Sequence, residues 1–100
     1  MGSNKNDKKM STKEKVLEEV KIDELLGNQN VIVLYNDDVN TFDHVIDTLV
    51  DVCGHDPIQA EQCAFIVHYK GKCDVKTGSF KELIPMCTGL LEAGLSAEIH

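Results

Sequence analysis

Residues 31–42, VIVLYNDDVNTF, pass from an apolar run into an acidic turn and then into a helix start. The β-branched, apolar run from Val31 to Tyr35 is typical of a central strand. Asn36, Asp37 and Asp38 follow at once. Adjacent carboxylates at the end of a buried strand repel each other and require solvent or a positive partner. The stretch therefore predicts a strand that ends in an acidic turn, which is open to solvent or able to bind a positively charged group.

The size and charge of the chain limit its organisation and its partners. One hundred residues suffice for a single domain with a modest core. A formal charge of −7 argues against a surface that binds nucleic acid or an anionic membrane. No apolar run approaches the roughly 18 residues that span a bilayer, and no signal peptide is recognisable. We therefore expect a cytoplasmic protein with its four cysteines as reduced thiols.

The first thirty residues differ in composition from the rest. Residues 1–13 have almost no large apolar side chains, so burial cannot offset the entropy lost on ordering them. Ser11 and Glu14 have the spacing of a capping box, but an isolated helix of this length is marginal in water. We expect a flexible N-terminal extension over residues 1–30 and a folded domain over residues 31–100.

Local start and stop signals predict two helices after the acidic turn. Asn40 or Thr41 can cap the first helix, and Gly54 ends it. Asp56 is the cap of the second, with Pro57 at its first helical position. Apolar residues recur at helical spacing in both segments, which predicts that each helix buries one side.

The second half of the domain is predicted to contain two strands and one more helix. The segment KCDVKTG, residues 72–78, is a candidate strand, and SFKE, residues 79–82, is a capping box. Pro85 removes a backbone donor and should kink or divide the helix, which Gly94 ends. LSAEIH, residues 95–100, alternates as a strand does. The order β-α-α-β-α-β predicts an α+β fold, a two-layer α/β sandwich with helices on one face of a three-stranded sheet.

A calcium site at the acidic turn is a weak alternative. Four side chains match positions 1, 3, 5 and 12 of the EF-hand loop: Asn36, Asp38, Asn40 and Asp47. Thr41, however, replaces the glycine that makes the sharp turn of that loop. The predicted strand before the turn also contradicts the required flanking helix, so we do not expect a calcium site.

The cysteines and histidines give no clear metal or catalytic pattern. Cys53, His55, Cys63, His68 and Cys73 contain no C-x₂-C pair, and free cysteines on apolar helix faces are ordinarily core residues. Cys63 and His68, five residues apart on one helix, do not face each other well enough for a catalytic dyad. No phosphate loop, nucleophile elbow or HExxH motif appears. We expect no enzyme, no cofactor and no metal, with a small metal-binding domain as an open alternative.

Three motifs resemble a known family. The turn NDD at 36–38, the helix FDHVIDTL at 42–49 and the segment VHYKGK at 67–72 have the order and spacing of ClpS, the N-end rule adaptor of the Clp AAA+ protease. The resemblance is strong over residues 31–72, weakens after that and returns at the last strand. It implies a fold like the C-terminal domain of the ribosomal stalk protein. It also implies an adaptor that delivers proteins with N-terminal Leu, Phe, Tyr or Trp to a ClpA- or ClpC-type unfoldase for degradation by ClpP.

The resemblance implies that the awaited cation is the α-ammonium group of a peptide, the start of an N-degron. Four residues would bind this group: Asn36, Asp37, Asp38 and His68. Since His68 would accept a hydrogen bond, its imidazole must be neutral, and affinity should fall as the pH drops. An adjoining pocket would hold the first side chain of the peptide. The resemblance implies that its lining is Asn40, Phe42, Val45, Ala64, Val67 and Leu95.

The chain departs from the usual residues of the family at three of these positions. Phe42 and Ala64 stand where the family usually has methionine, and Asn40 stands where it usually has threonine. In the family, the side of the domain formed here by residues 73–94 docks on the N-terminal domain of the unfoldase, with Lys81 and Glu82 as candidate contacts. Because Phe42 and Ala64 reshape the pocket, a second alternative is a module that docks on Clp but binds another ligand or modulates the protease.

Overall fold

Three strands and three helices form residues 29–100, the part of the chain that the computed structural model describes. In chain order they are β1 (Asn30–Tyr35), α1 (Phe42–Cys53), α2 (Pro57–Lys70), β2 (Lys72–Gly78), α3 (Phe80–Glu92) and β3 (Ser96–Ile99). This order confirms the predicted α+β fold. The extension expected over residues 1–30 lies, up to residue 28, outside the described part. No helix within residues 29–100 has the length and apolar character needed to cross a membrane.

The sheet has the order β2-β1-β3, and β1 pairs antiparallel with both neighbours. Tyr35, the last residue of β1, is opposite Lys72 on one side and Ser96 on the other. The acidic turn that follows β1 therefore leaves the middle of the sheet between the start of β2 and the start of β3. A register shift between Ile32 and Val33 interrupts the pairing with β2, and no feature of the sequence predicts this shift.

The core lies between the sheet and the helices. Ile32 and Leu34 are at most 1% exposed and share one apolar cluster with Leu49 of α1 and Leu90 of α3. Val33 lies outside this cluster although it is itself buried, because successive strand residues point to opposite faces. The predicted central strand is thus confirmed, and its core-facing residues fix the position of the turn after Tyr35.

The helix caps form as the sequence predicts. Thr41 is the N-cap of α1 and its hydroxyl accepts a hydrogen bond from the His44 amide, at 3.1 Å. Asp56 is the N-cap of α2, and the capping box of residues 79–82 starts α3. Gly54 follows α1 in the left-handed region, with φ of 70°, a conformation that costs glycine little. These local bonds set where each helix begins or ends.

Pro85 does not divide α3, which contradicts one of the two outcomes predicted for it. The helix runs without interruption from Phe80 to Glu92. Pro85 and Lys81, four residues earlier, are both exposed, so water can satisfy the Lys81 carbonyl that a proline leaves without a partner. On the opposite side, buried residues such as Leu83 hold the helix against the core.

Candidate functional site

A cavity of about 530 Å³ opens where the end of β1, the first turns of α1 and the last turns of α2 meet. Eleven residues line it. Its polar part consists of Asn36, Asp37, Asp38, Asn40 and His68, and its apolar and aromatic part consists of Phe42, Val45, Ala64, Phe65, Val67 and Tyr69. A cleft that joins apolar walls to a few convergent polar groups is the usual form of a ligand site.

Asp37 organises the acidic turn. Its Oδ1 accepts hydrogen bonds from the backbone amides of Val39 and Asn40, at 2.8 and 2.7 Å. Its Oδ2 accepts a third from the side-chain amide of Asn40, at 2.7 Å. An ionised carboxylate has about four acceptor positions. One position on Oδ2 therefore remains for a donor from outside the turn.

Two hydrogen bonds to remote segments hold the turn in place. The backbone amide of Asn36 donates to the carbonyl of Gly71, at 2.9 Å. Gly71 is the residue that directly follows α2. The side-chain amide of Asn40 donates to the carbonyl of Gly94, at 2.8 Å, between α3 and β3. The first bond brings the turn beside the end of α2, which carries His68, and the second fixes the side chain that contacts Asp37.

The electrostatics of the turn favour a cation. The hydrogen bond from the Asn40 backbone lowers the pKa of the Asp37 carboxyl, and bonds from the Asn40 side chain and the Val39 amide lower it further, against an opposing effect of desolvation. Asp38 is exposed and lines the same cavity. The adjacent C-terminal end of α2 adds the negative end of a helix dipole. The polar part of the cavity therefore combines carboxylates with a partial negative charge.

His68 lies in the last turn of α2 and completes the polar part of the cavity. Its ring meets that of Tyr69 edge to face, with 4.9 Å between centroids. Ala64 and Phe65 lie four and three residues before it and therefore share its side of the helix. The periodicity of α2 consequently places an imidazole and apolar side chains along one wall.

Phe65 and Tyr69 line the cavity, although they were not among the residues that the sequence identified. Phe65 contacts Phe42 edge to face at 4.8 Å and stacks on Tyr69 at 6.0 Å. A helical signal for them existed, because Phe65 is three residues before His68 and Tyr69 is four residues after Phe65. Tyr69 also lies inside the matching segment VHYKGK, whereas Phe65 lies outside all three motifs.

Nine of the ten residues expected at the ligand site line this cavity, and Leu95 does not. Leu95 is 4% exposed, belongs to the apolar core and borders a separate groove. The two expected docking residues, Lys81 and Glu82, are exposed near the start of α3, and α3 contributes no residue to the cavity wall. The Glu82 carboxylate accepts hydrogen bonds from the Ser79 amide and hydroxyl.

The cysteines and His55 pack within the fold instead of forming a metal site. His55 is 4% exposed, and its Nε2 hydrogen-bonds the carbonyl of Val75. Burial, reinforced by the neighbouring Cys63, raises the pKa of the Cys73 thiol to about 12. Among residues 29–100, no three histidine, cysteine, aspartate or glutamate side chains come together to hold a metal ion. This geometry does not support the alternative of a metal-binding domain.

Comparison with known families identifies the chain. A family model described as "ATP-dependent Clp protease adaptor protein ClpS" matches residues 27–98, well over half of the chain. A search among curated proteins found no match. The family match confirms the resemblance of the three sequence motifs and covers every residue that lines the cavity. The chain belongs to the ClpS family of Clp protease adaptors.

Proposed function

We propose that this adaptor binds polypeptides by a free N-terminus that is followed by a large apolar side chain, Leu, Phe, Tyr or Trp. It presents them to a ClpA- or ClpC-type unfoldase for degradation by ClpP. The observation that carries the proposal is the two-part lining of the cavity, with oxygen and imidazole acceptors beside apolar walls. The charged N-terminus of a polypeptide requires hydrogen-bond acceptors, and its first side chain, when large and apolar, requires apolar contacts.

The polar part of the cavity matches an α-ammonium group. This group is mostly protonated at neutral pH, since its pKa is about 7.7–8.0, and it offers three N–H donors. The remaining acceptor position on Asp37 Oδ2 can take one of them. Asn36 and His68 line the same cavity, and the side-chain oxygen of the one and a neutral ring nitrogen of the other are acceptors that can take the other two. Asp38 adds a second negative charge nearby.

The apolar part matches the first side chain of the ligand. Ala64 and Val67 are 3% and 4% exposed and line the cavity together with Phe42 and Val45. Complete burial of one large apolar side chain contributes about 1.5–3 kcal/mol, less than the roughly 4.1 kcal/mol of a millimolar complex. Hydrogen bonds to charged groups contribute about 1.5–3 kcal/mol each. Useful affinity therefore requires both parts, which makes a free N-terminus and an apolar side chain jointly necessary.

Isothermal titration with four short peptides of otherwise equal sequence tests the proposal. Peptides that begin with Leu or Phe should bind. Acetyl-Leu should not bind, because acetylation removes the charge and donors of the amine. A peptide that begins with Ile should bind weakly or not at all, because its branched β-carbon presses on the rim of the cavity. Equal binding of the Leu and acetyl-Leu peptides would contradict the proposed ammonium contact.

Delivery to an unfoldase requires a second surface that stays accessible when the cavity is occupied. We place it on the exposed side of α3, where Lys81 and Glu82 lie beside the half-exposed Phe80 and Ile84. Since α3 does not line the cavity, a peptide and the N-terminal domain of the unfoldase could bind at the same time. Glu82 also stabilises the start of α3 through its hydrogen bonds to Ser79, so Lys81 is the better residue to change in a test of docking.

A further inference from the structure

Three aromatic rings form a continuous surface at the cavity. Phe42 meets Phe65 edge to face, with 4.8 Å between centroids and 62° between planes. Phe65 in turn stacks on Tyr69 with 6.0 Å between centroids and 9° between planes. All three rings line the cavity. A ligand side chain in this cavity would therefore have aromatic neighbours as well as aliphatic ones.

Packing of the fold does not account for the outer two rings. Phe65 is 45% exposed, Tyr69 is 75% exposed, and neither belongs to the apolar core cluster. Large apolar side chains left exposed around a concave surface indicate a binding site. Ala64, in contrast, is 3% exposed and contributes only a methyl group to the wall, which leaves room for a bulky ligand group.

From this arrangement we infer that the site prefers an aromatic first side chain, Phe, Tyr or Trp, over Leu, and that Phe65 is a residue that determines this preference. The inference rests on the proposed function. An aromatic ligand side chain can meet the Phe65 and Phe42 rings edge to face or offset-stacked, which is favourable beyond the area buried. This added interaction corresponds to about a three- to tenfold difference in Kd.

The test separates ring electronics from size. Two peptides that differ only in the first residue, Phe or cyclohexylalanine, present side chains of nearly the same size, of which only one has a π-system. A third peptide begins with Leu. Titration of the intact protein should give a Kd for the Phe peptide about three- to tenfold lower than for either of the other two.

Three variants assign the preference to Phe65. In Phe65→Leu the Kd ratio between the cyclohexylalanine and Phe peptides should fall below about twofold, while the Kd of the cyclohexylalanine peptide changes little. Phe65→Tyr keeps a ring and should keep the ratio. Phe80→Leu is the matched control, because Phe80 is 37% exposed on α3 and does not line the cavity. It should also keep the ratio, and equal melting temperatures verify that the variants fold.

Two results would overturn the inference and leave the proposed function intact. One is a ratio near one in the unchanged protein, with free-amine peptides bound and acetylated peptides rejected. The other is a ratio that stays at its original value in Phe65→Leu. If no free-amine peptide binds the unchanged protein, the proposed function itself fails and the inference fails with it.

Discussion

At the scale of single residues, Asp37 connects the shape of the turn to its charge. The same three hydrogen bonds that fold the turn lower the pKa of Asp37. A carboxyl whose pKa is lowered in the folded state stabilises that state above the unfolded pKa, about 4. This stabilisation is lost as the pH falls through the lowered value. Asp37 thus stays ionised throughout the neutral and mildly acidic range, as a partner for an ammonium group must.

The change Asp37→Asn should weaken peptide binding about tenfold or more without unfolding the domain. The substitution keeps the size of the side chain but removes the charge that strengthens the hydrogen bond to the ammonium group. The measurement is the Kd of a Leu or Phe peptide, with circular dichroism to verify the fold. Asp47→Asn is the matched control, since Asp47 is exposed on α1 and does not line the cavity. An unchanged Kd in Asp37→Asn would remove Asp37 from the site.

The proposed contact between the ligand amine and His68 predicts that peptide binding depends on pH. A ring nitrogen accepts a hydrogen bond only while the imidazole is neutral, and a protonated ring would repel the ammonium group and could no longer accept from it. Asp37 and Asp38 border the same cavity, but Asp37 with its lowered pKa keeps its charge over this range. The ligand amine, with a pKa of about 7.7–8.0, gains at most about 1.6-fold in its protonated fraction below pH 7.5, and this gain acts in the opposite direction. Affinity should therefore be lower at pH 5.5 than at pH 7.5, as titrations at both values can show.

The variant His68→Gln is the control for this pH dependence. Glutamine keeps an acceptor but does not titrate, so the Kd of the variant should be nearly the same at pH 7.5 and pH 5.5. If the unchanged protein also has equal Kd values at the two pH values, His68 does not accept from the ligand.

At the scale of helices and strands, predictions from the sequence were most accurate where the boundary of an element depends on residues close to one another in the chain. Thr41 and Asp56 predicted helix starts because the side chain of an N-cap bonds an amide three residues later, and both bonds form. Pro85 was ambiguous, because the sequence does not show whether the carbonyl that it leaves unpaired faces solvent. The register shift at Ile32 and Val33 depends on pairing between distant segments, which a local pattern does not encode.

The contact between α1 and α3 supports a prediction about Gly89. Glycine inside a helix costs about 1 kcal/mol relative to alanine, so Gly89→Ala would ordinarily stabilise the protein. A Cβ at Gly89, however, would be 3.0 Å from Cγ1 of Val52 on α1, and overpacking typically costs about 1–3 kcal/mol. Valine has few alternative rotamers in a helix. We therefore expect Gly89→Ala to lower the free energy of unfolding by about 1 kcal/mol.

Urea denaturation of a double-mutant cycle tests this packing argument. With Val52→Ala already present, the close contact is removed, and Gly89→Ala should then raise the free energy of unfolding because only helix propensity remains. Thr88→Ala, an exposed change on the same helix, should stay within about 0.5 kcal/mol. If Gly89→Ala stabilises the protein while Val52 is present, the two helices are not packed as tightly as the structure indicates.

At the scale of the whole molecule, the cavity depends on contacts between segments far apart in the chain. The hydrogen bonds from Asn36 to Gly71 and from Asn40 to Gly94 cannot be inferred from spacing or periodicity. The motif resemblance brought residues of the turn and of α2 to one site, but it did not include Phe65. It did include Leu95, whose side chain is buried in the apolar core. The sequence thus predicted the order of elements well, and most but not all of the residues that line the cavity.

Because α3 does not line the cavity, we expect that one substitution can weaken docking on the unfoldase and another can weaken peptide binding. Lys81→Glu should leave the Kd for a Leu or Phe peptide unchanged, because Lys81 does not line the cavity. It should weaken binding to the N-terminal domain of a ClpA- or ClpC-type unfoldase, because charge reversal in an interface creates repulsion. Asp37→Asn should give the reverse pattern, with docking retained and peptide binding weakened. A reporter that begins with Phe should be degraded slowly in both cases, for different reasons.

Mixing the two variants distinguishes this arrangement from a single shared surface. Docking and peptide binding must occur on the same molecule for delivery, so an equal mixture of Lys81→Glu and Asp37→Asn should not restore degradation of the reporter. Binding assays with each partner alone then show which contact each variant has lost. If Lys81→Glu weakens peptide binding as much as docking, the two surfaces are coupled and cannot act as separate sites. If it weakens neither, docking lies away from Lys81, and the exposed face of α3 has to be probed next at Ile84, which is 44% exposed.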